Sequence, residues 1–315
     1  MRAAMIAAAI AIGLGATACT SSTPSPPVSS GAIPPTIRMT CTSVGSNPVA
    51  GDLPSLRARA RGIGADVIAL RSAATTIRVD LRGVPPDQAR ALCTSPTVDV
   101  RGVVAPPVPA SCTAAQCSAA SVSNALQAAH LDPPPLTEAS YTVLPASQRR
   151  SIASALARFD CVSTKDQKAD PASYFVSCLN RTAYYLGPVI VSDADVAEAT
   201  ARPPSHGKRG WTILLSFTRQ GSERLSQYTS AHNFGGASPA ATVRRCSYAT
   251  APCANWVAFT VDGPIVSVPY NLEAINSGSI QISGLFGEAE AKQLAARLAN
   301  PLPVPLQVDS LQTLH

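Results

Sequence analysis

The sequence predicts an α+β protein in two folded stretches, and three observations carry that expectation. Residues 36–104 alternate strand and helix periodicities in the order βαββαβ. A second run from Tyr184 mixes short apolar strands with helical stretches and ends in an amphipathic helix and a short strand. Between them, residues 105–183 carry six prolines in Pro106–Pro135 and little periodicity. The 315 residues, 46% hydrophobic and 14% charged, suffice for two cores at about 150 residues per domain.

The first stretch opens with Thr36-Ile-Arg-Met-Thr-Cys41, whose alternation is that of a strand. A helix is expected from about Leu53 to Arg61, with Arg57 and Arg61 on a solvated face. Asp66–Leu70 and Thr76–Leu81 follow as strands. In the latter, Ile77, Val79 and Leu81 point one way and Arg78, Asp80 and Arg82 the other. Pro86 suits the first turn of a helix running to Cys93, and Thr97–Val104 returns to strand character. This order is that of a ferredoxin-like split unit, with helices on one face of an antiparallel sheet.

Residues 105–183 are expected to form a thinly packed insertion held by disulfides, with short helices near Ser121–Ala129 and Ser147–Phe159. The second stretch begins with a strand, Tyr184–Val191. A helix opened by Ser192, with Asp195 completing a capping box, comes next. Trp211–Phe217 reads as a strand and Ser222–Tyr228 as a helix. Trp256–Val261, the Asp262-Gly263 turn and Ile265–Val268 read as a hairpin. Ser279–Ser283 alternates as a strand. Ala291, Leu294, Ala295 and Leu298 make one apolar helical stripe in Glu288–Ala299, and Val304–Val308 is the last strand.

The chain begins with Arg2, a 12-residue apolar run Met5–Ala16, and Ala16-Thr17-Ala18-Cys19. That run is too short to span a bilayer, which takes about 20 residues. The pattern resembles a bacterial lipoprotein signal, departing from it at Ala16. The resemblance implies cleavage after Ala18 and a diacylglycerol (and palmitate-type) anchor on Cys19, with the protein exported to the outer face of the cell membrane. A plain secretory signal cut after Ala18 is the alternative. Thr20–Pro35, rich in Ser and Pro, reads as an extended tether. Eight cysteines remain: Cys41, Cys93, Cys112, Cys117, Cys161, Cys178, Cys246 and Cys253. In an exported chain this even number favours disulfides. Eight cysteines allow 105 connectivities by the counting rule. Local spacing suggests Cys112–Cys117, Cys161–Cys178 and Cys246–Cys253, leaving Cys41 for Cys93.

Several chemistries find no support. Net charge is +6 with aromatics at 5%, and the basic residues form no dense run, so a nucleic-acid partner is not expected. No cysteine pair has C-x-x-C spacing and the four histidines, His130, His206, His232 and His315, are scattered, so neither a metal nor another cofactor is expected. Gly62-Ile-Gly64 precedes a strand, the reverse of a nucleotide fingerprint. Asp193 and Asp195 read as helix-capping acids, His232 as a surface histidine, and Trp211 and Trp256 as sheet-face residues. No catalytic residue is expected, and the chain does not read as an enzyme.

Six stretches, in order, resemble the first extracytoplasmic domain of SecD, the accessory subunit of the Sec preprotein translocase. They are Arg78–Gly83 with Ala89-Arg-Ala-Leu92; Tyr185-Leu-Gly-Pro188 with Ser192-Asp-Ala-Asp195; Phe217-Thr-Arg-Gln-Gly221; Val261-Asp-Gly263 with Val266-Ser267; Ser279–Gly284 with Phe286 and Glu290-Ala291; and Leu302-Pro-Val-Pro-Leu306. The resemblance implies a ferredoxin-like base, residues 36–104 and 301–315, with a larger α+β head, residues 184–300, inserted into it. It implies an accessory role in Sec-dependent export: binding translocating or unfolded preproteins beside translocon components, without the family's membrane motor. A cell-envelope lipoprotein reusing the domain for ligand binding or scaffolding is the alternative. Ala258, Val266, Val268 and Tyr270 are the candidate client-binding residues. If Cys19 carries the anchor, Cys19→Ala releases the protein from membranes into the medium; a variant that stays membrane-bound and keeps an acyl label refutes the anchor.

Overall fold

The computed structural model describes residues 36–110, 144–161, 170–205, 210–232, 256–271 and 273–314. The expected export signal, tether and helix near Ser121–Ala129 lie outside these residues. So do Cys19, Cys112, Cys117, Cys246 and Cys253, and His130, His206 and His315.

The base is a four-stranded antiparallel sheet. Strands β1 (Thr36–Ser43), β2 (Asp66–Ala73), β3 (Thr76–Arg82) and the C-terminal strand (Leu306–Leu314) stand in the order C-terminal strand, β1, β3, β2. Helices α1 (Leu53–Gly62) and α2 (Pro86–Ala91) cover one face. The alternation in β1 and β3 sends Ile37, Met39, Cys41, Ile77, Val79 and Leu81 against Leu56, Ala60, Ala89 and Leu92 of the helices and the residue after α2, closing a core. The four-strand order is that of a ferredoxin-like unit.

The sixth element of that unit differs from expectation. Residues 98–103 form β4, which leaves the base for a second sheet, and the place beside β1 is taken by Leu306–Leu314. All six β4 residues are buried. A base strand has one solvent-facing side, whereas β4 has cover on both.

The second sheet contains β4, β5 (Val108–Pro109), β6 (Phe175–Leu179), β7 (Thr182–Ser192), β10 (Val257–Val261) and β11 (Ile265–Ser267), in the order β11, β10, β4, β7, with β5 and β6 both paired to β7. It curls until its ends approach: the Ser177 hydroxyl of β6 donates to the Gly263 carbonyl before β11 at 2.8 Å. Val103, Phe175, Tyr184, Leu186, Ala258 and Ile265 fill the space inside. Val98, Val100, Val191, Val257 and Phe259 form the largest core with a third sheet of β8 (Val196–Arg202), β9 (Trp211–Phe217) and β12 (Ser279–Phe286). Helices α4 (Arg219–Ala231) and α5 (Glu288–Ala299) complete that core through Leu225, Ala291, Leu294 and Leu298.

Strand β8 replaces the helix expected after Ser192. The capping box forms, with Asp195 Oδ2 accepting from the Ser192 backbone N–H at 2.9 Å, but it closes a single 3-10 turn. Val196-Ala-Glu-Ala-Thr-Ala-Arg then pairs with β9. Ala and Glu favour a helix in isolation, and sheet pairing overrides that preference.

The described part of 105–183 is better packed than expected. Helix α3 (Ala146–Ala157) lays Ile152, Ala155 and Leu156 on Val104, Val176 and Tyr185. Cys161–Cys178 pins the end of this layer to β6, and Cys41–Cys93 ties β1 to the end of α2. Closing loops of 52 and 17 residues is worth about 4 and 3 kcal/mol by chain entropy. Cys41 and Cys93 are both fully buried in the base core. The pair Cys41→Ala/Cys93→Ala therefore lowers unfolding free energy by about 3–5 kcal/mol in denaturant titration; a loss under about 1 kcal/mol contradicts this assignment.

Candidate functional site

Several of the sequence stretches singled out above turn out to be joints. Ser192–Asp195 and Phe217–Gly221 meet at one of them. Thr218 caps α4 by accepting from the Gly221 N–H at 3.2 Å, and its own N–H donates to the Asp195 carbonyl at 2.7 Å. A Cβ on Gly221 would stand 2.7 Å from that of Asp195, so only glycine lets the helix sit this close. The Asp195 carboxylate is paired with Arg224, which also donates to the Ile190 carbonyl at 3.1 Å. Asp195 is thus held as a structural acid, and no three His, Cys, Asp or Glu among the described residues are grouped to hold a metal.

Val261-Asp-Gly263 is a second joint. Asp262 and Gly263 both have positive φ, 52° and 103°, as a tight hairpin turn requires. Asp262 exchanges hydrogen bonds with Thr97, accepting from its N–H at 2.9 Å and donating to its carbonyl at 2.8 Å. Its carboxylate lies 3.8 Å from the Arg297 guanidinium.

The third joint fastens base to head. Arg59 of α1 is fully buried. Its guanidinium donates to Leu92 and Thr94 after α2, at 2.7 and 2.9 Å, and to Arg297 and Asn300 at the end of α5, at 3.2 and 2.7 Å. Burial, with Arg297 close by, lowers its pKa to about 9, which leaves it charged at neutral pH. Asp52 opposes that shift, and its own carboxyl is pushed up by burial. Beside this cluster, a Cβ on Gly62 would meet the Ala296 Cβ at 2.6 Å, so α1 and α5 touch there. Arg57 and Arg61 are exposed, as the helical face predicts. Arg59 was missed by that reading; its spacing to Leu56, Ala60 and Ile63 places it on the apolar stripe and was the available signal.

The candidate client residues do not form one surface. Ala258 is fully buried inside the curled sheet, because its neighbours Val257 and Phe259 take the opposite face, and it is removed from the contact set. Val266, Val268 and Tyr270 are half-buried. Tyr270 pairs with Trp256 through an isolated bridge, their ring centroids 6.5 Å apart. Val266 alone borders a cleft of about 170 Å³, shared with Gly284 and Phe286 of β12 and Glu290 in the first turn of α5. Strands β11 and β12 are both end strands in their sheets' pairing order, and the cleft lies between them. Its lining combines the apolar side chains of Val266 and Phe286 with Gly284 and the Glu290 carboxylate. Trp211 packs on the head core with the Lys292 ammonium 5.4 Å from its ring centre, and His232 stacks on Tyr228 and contacts the Tyr228 carbonyl at 2.9 Å.

The described residues form a ferredoxin-like base joined to a larger α+β head. Residues 173–304 match the family model described as SecDF, P1 head subdomain. The protein translocase subunit SecD of Streptomyces coelicolor is 30% identical over 131 residues, covering 41% of this chain and 20% of that protein. SecD of Mycobacterium tuberculosis (strain CDC 1551 / Oshkosh) is 31% identical over 150 residues, 46% of this chain and 22% of that one. A crystal structure of SecDF in a super-membrane-facing form overlays 88% of this chain and 30% of its own, at 19% identity and a TM-score of 0.48. Residues 173–304 are thus similar to the head subdomain of SecD-type proteins. It spans about a fifth of the length of the curated relatives it matches. Among the described residues no helix is long and apolar enough to cross a membrane.

Proposed function

We propose that this protein is a membrane-tethered, extracytoplasmic accessory of Sec-dependent export that binds translocating or unfolded preproteins. The observation that carries this reading is the match of residues 173–304 to the head subdomain of a translocase component. The lipid anchor on Cys19, the translocon components as partners and the location on the outer face of the cell membrane belong to the same proposal.

The contact is assigned to the cleft between β11 and β12. An extended segment there would meet Val266 and Phe286 side chains and strand-edge amides, the combination by which sheets take up peptides. Contacts of this kind are sequence-tolerant and weak, in the micromolar range, about −8 kcal/mol. They depend little on salt, because Glu290 is the one charged residue among those lining the cleft.

Titration of the full chain with a denatured secretory protein at two ionic strengths tests the reading. Binding is expected at both, weakened about tenfold by Val266→Asp, which sets a charge beside Glu290. Absence of binding at either ionic strength, together with absence of copurifying translocon components, rejects it in favour of the envelope-lipoprotein role.

A further inference from the structure

The face of the base sheet turned away from α1 and α2 has no described element packed on it, and the fold gathers there arginines that lie far apart in sequence. Arg38 of β1 stands opposite Asp80 of β3 and holds it with two hydrogen bonds of 2.9 Å. One pair further along, Arg78 of β3 stands directly opposite Arg71 of β2, and both are exposed. Like charges placed opposite across two strands repel, and the carboxylate that lines the same cavity as Arg71 and Arg78, that of Asp80, is already taken by Arg38. Asp80 feels all three cations: the Arg38 hydrogen bonds first, then the charges of Arg78 and Arg71, hold its carboxyl below the usual range. The other acids of this face are Asp66, opposite Arg82, and Asp309, which is bound by Thr42 and sits at the bulge beside Thr40, one strand away from Arg78.

Arg38, Arg71, Arg78, Asp80 and Ala69 together line a cavity of about 90 Å³. At roughly 30 Å³ for a water, that is the room of three waters, or of one tetrahedral oxyanion. Ile68, the bulged residue of β2 beside Ala69, is 49% exposed, which puts an apolar side chain at the rim.

We infer that this face of the base binds the phosphate headgroups of an anionic phospholipid surface, with Arg71 and Arg78 as the phosphate ligands and Arg38, fixed by Asp80, as the side of the seat. A sheet face with no described element packed on it is open to an extended surface rather than enclosed around a small ligand. An excess of guanidinium over carboxylate is the complement of a phosphate layer. The bare cationic pair loses its repulsion when a phosphate stands between its members. This binding is separate from the client role of the head, and it does not depend on the lipid at Cys19.

The test uses the full chain carrying Cys19→Ser, so that no acyl chain contributes, sedimented with vesicles of phosphatidylcholine alone or of phosphatidylcholine and phosphatidylglycerol in equal parts. The readout is the excess binding to the anionic vesicles, which removes any contribution of the apolar N-terminal run. A clear excess is expected, reduced roughly 30-fold by Arg71→Gln/Arg78→Gln, on the scale for two basic residues at a charged surface. Arg71→Lys/Arg78→Lys keeps most of it, and about 1 M salt abolishes it. Equal binding to both vesicles, an excess untouched by the glutamine pair, or binding to polyglutamate with none to anionic vesicles each overturns the inference, the last in favour of an acidic peptide.

Discussion

One buried cation governs how this chain is assembled. A guanidinium inside a protein is costly unless its donors are satisfied, and Arg59 meets that condition with carbonyls from two separate places. Leu92 and Thr94 follow base helix α2, and Arg297 and Asn300 end head helix α5. Helix ends leave carbonyls without partners and carry partial negative charge. The same side chain therefore satisfies both ends and fixes them against α1. Arg297 reinforces the joint by donating to the Thr94 carbonyl at 3.1 Å and to its hydroxyl at 3.0 Å. Gly62, packed on Ala296, allows the approach.

Helix α5 carries that constraint to the cleft. Its last turn rests on Arg59 and its first turn places Glu290 at the cleft wall. Twelve residues of helix span about 18 Å, with the apolar stripe of Ala291, Leu294, Ala295 and Leu298 buried in the head core along the way. The β11–β12 cleft and the cationic base face thus belong to one connected framework, in which two surfaces of different chemistry are held by elements sharing the Arg59 cluster.

Much of this was legible because local pattern and tertiary demand agreed. The α5 stripe gave its helix to the residue, β3 showed its two faces through Ile77/Val79/Leu81 against Arg78/Asp80/Arg82, and Asp262-Gly263 announced its turn. Where they disagreed, the reading failed. Strand β8 is written in helix-favouring Ala and Glu, and only β9 makes it a strand. Residues 98–103 look like the next base strand, yet the C-terminal segment takes that place from over 200 residues away. The candidate sites divide in the same manner. Ala258 alternates as a surface residue would but faces inside a curled sheet, a curvature no local pattern encodes. Arg38, Arg71 and Arg78 form no run in sequence and become a patch only through register.

The central claim is that the Arg59 cluster joins base and head. Native-state hydrogen exchange of Arg59→Met measures it most directly, because methionine keeps the apolar stem and takes the guanidinium donors from the Leu92, Arg297 and Asn300 carbonyls, while the Thr94 carbonyl keeps its bond from Arg297. The account predicts that amide protection falls together in α1, in α2 and in the last turn of α5, with a stability loss of about 3–5 kcal/mol, since each buried carbonyl left without a donor costs about 1–3 kcal/mol. Protection lost in α1 alone, with α5 and the end of α2 unchanged, would contradict it.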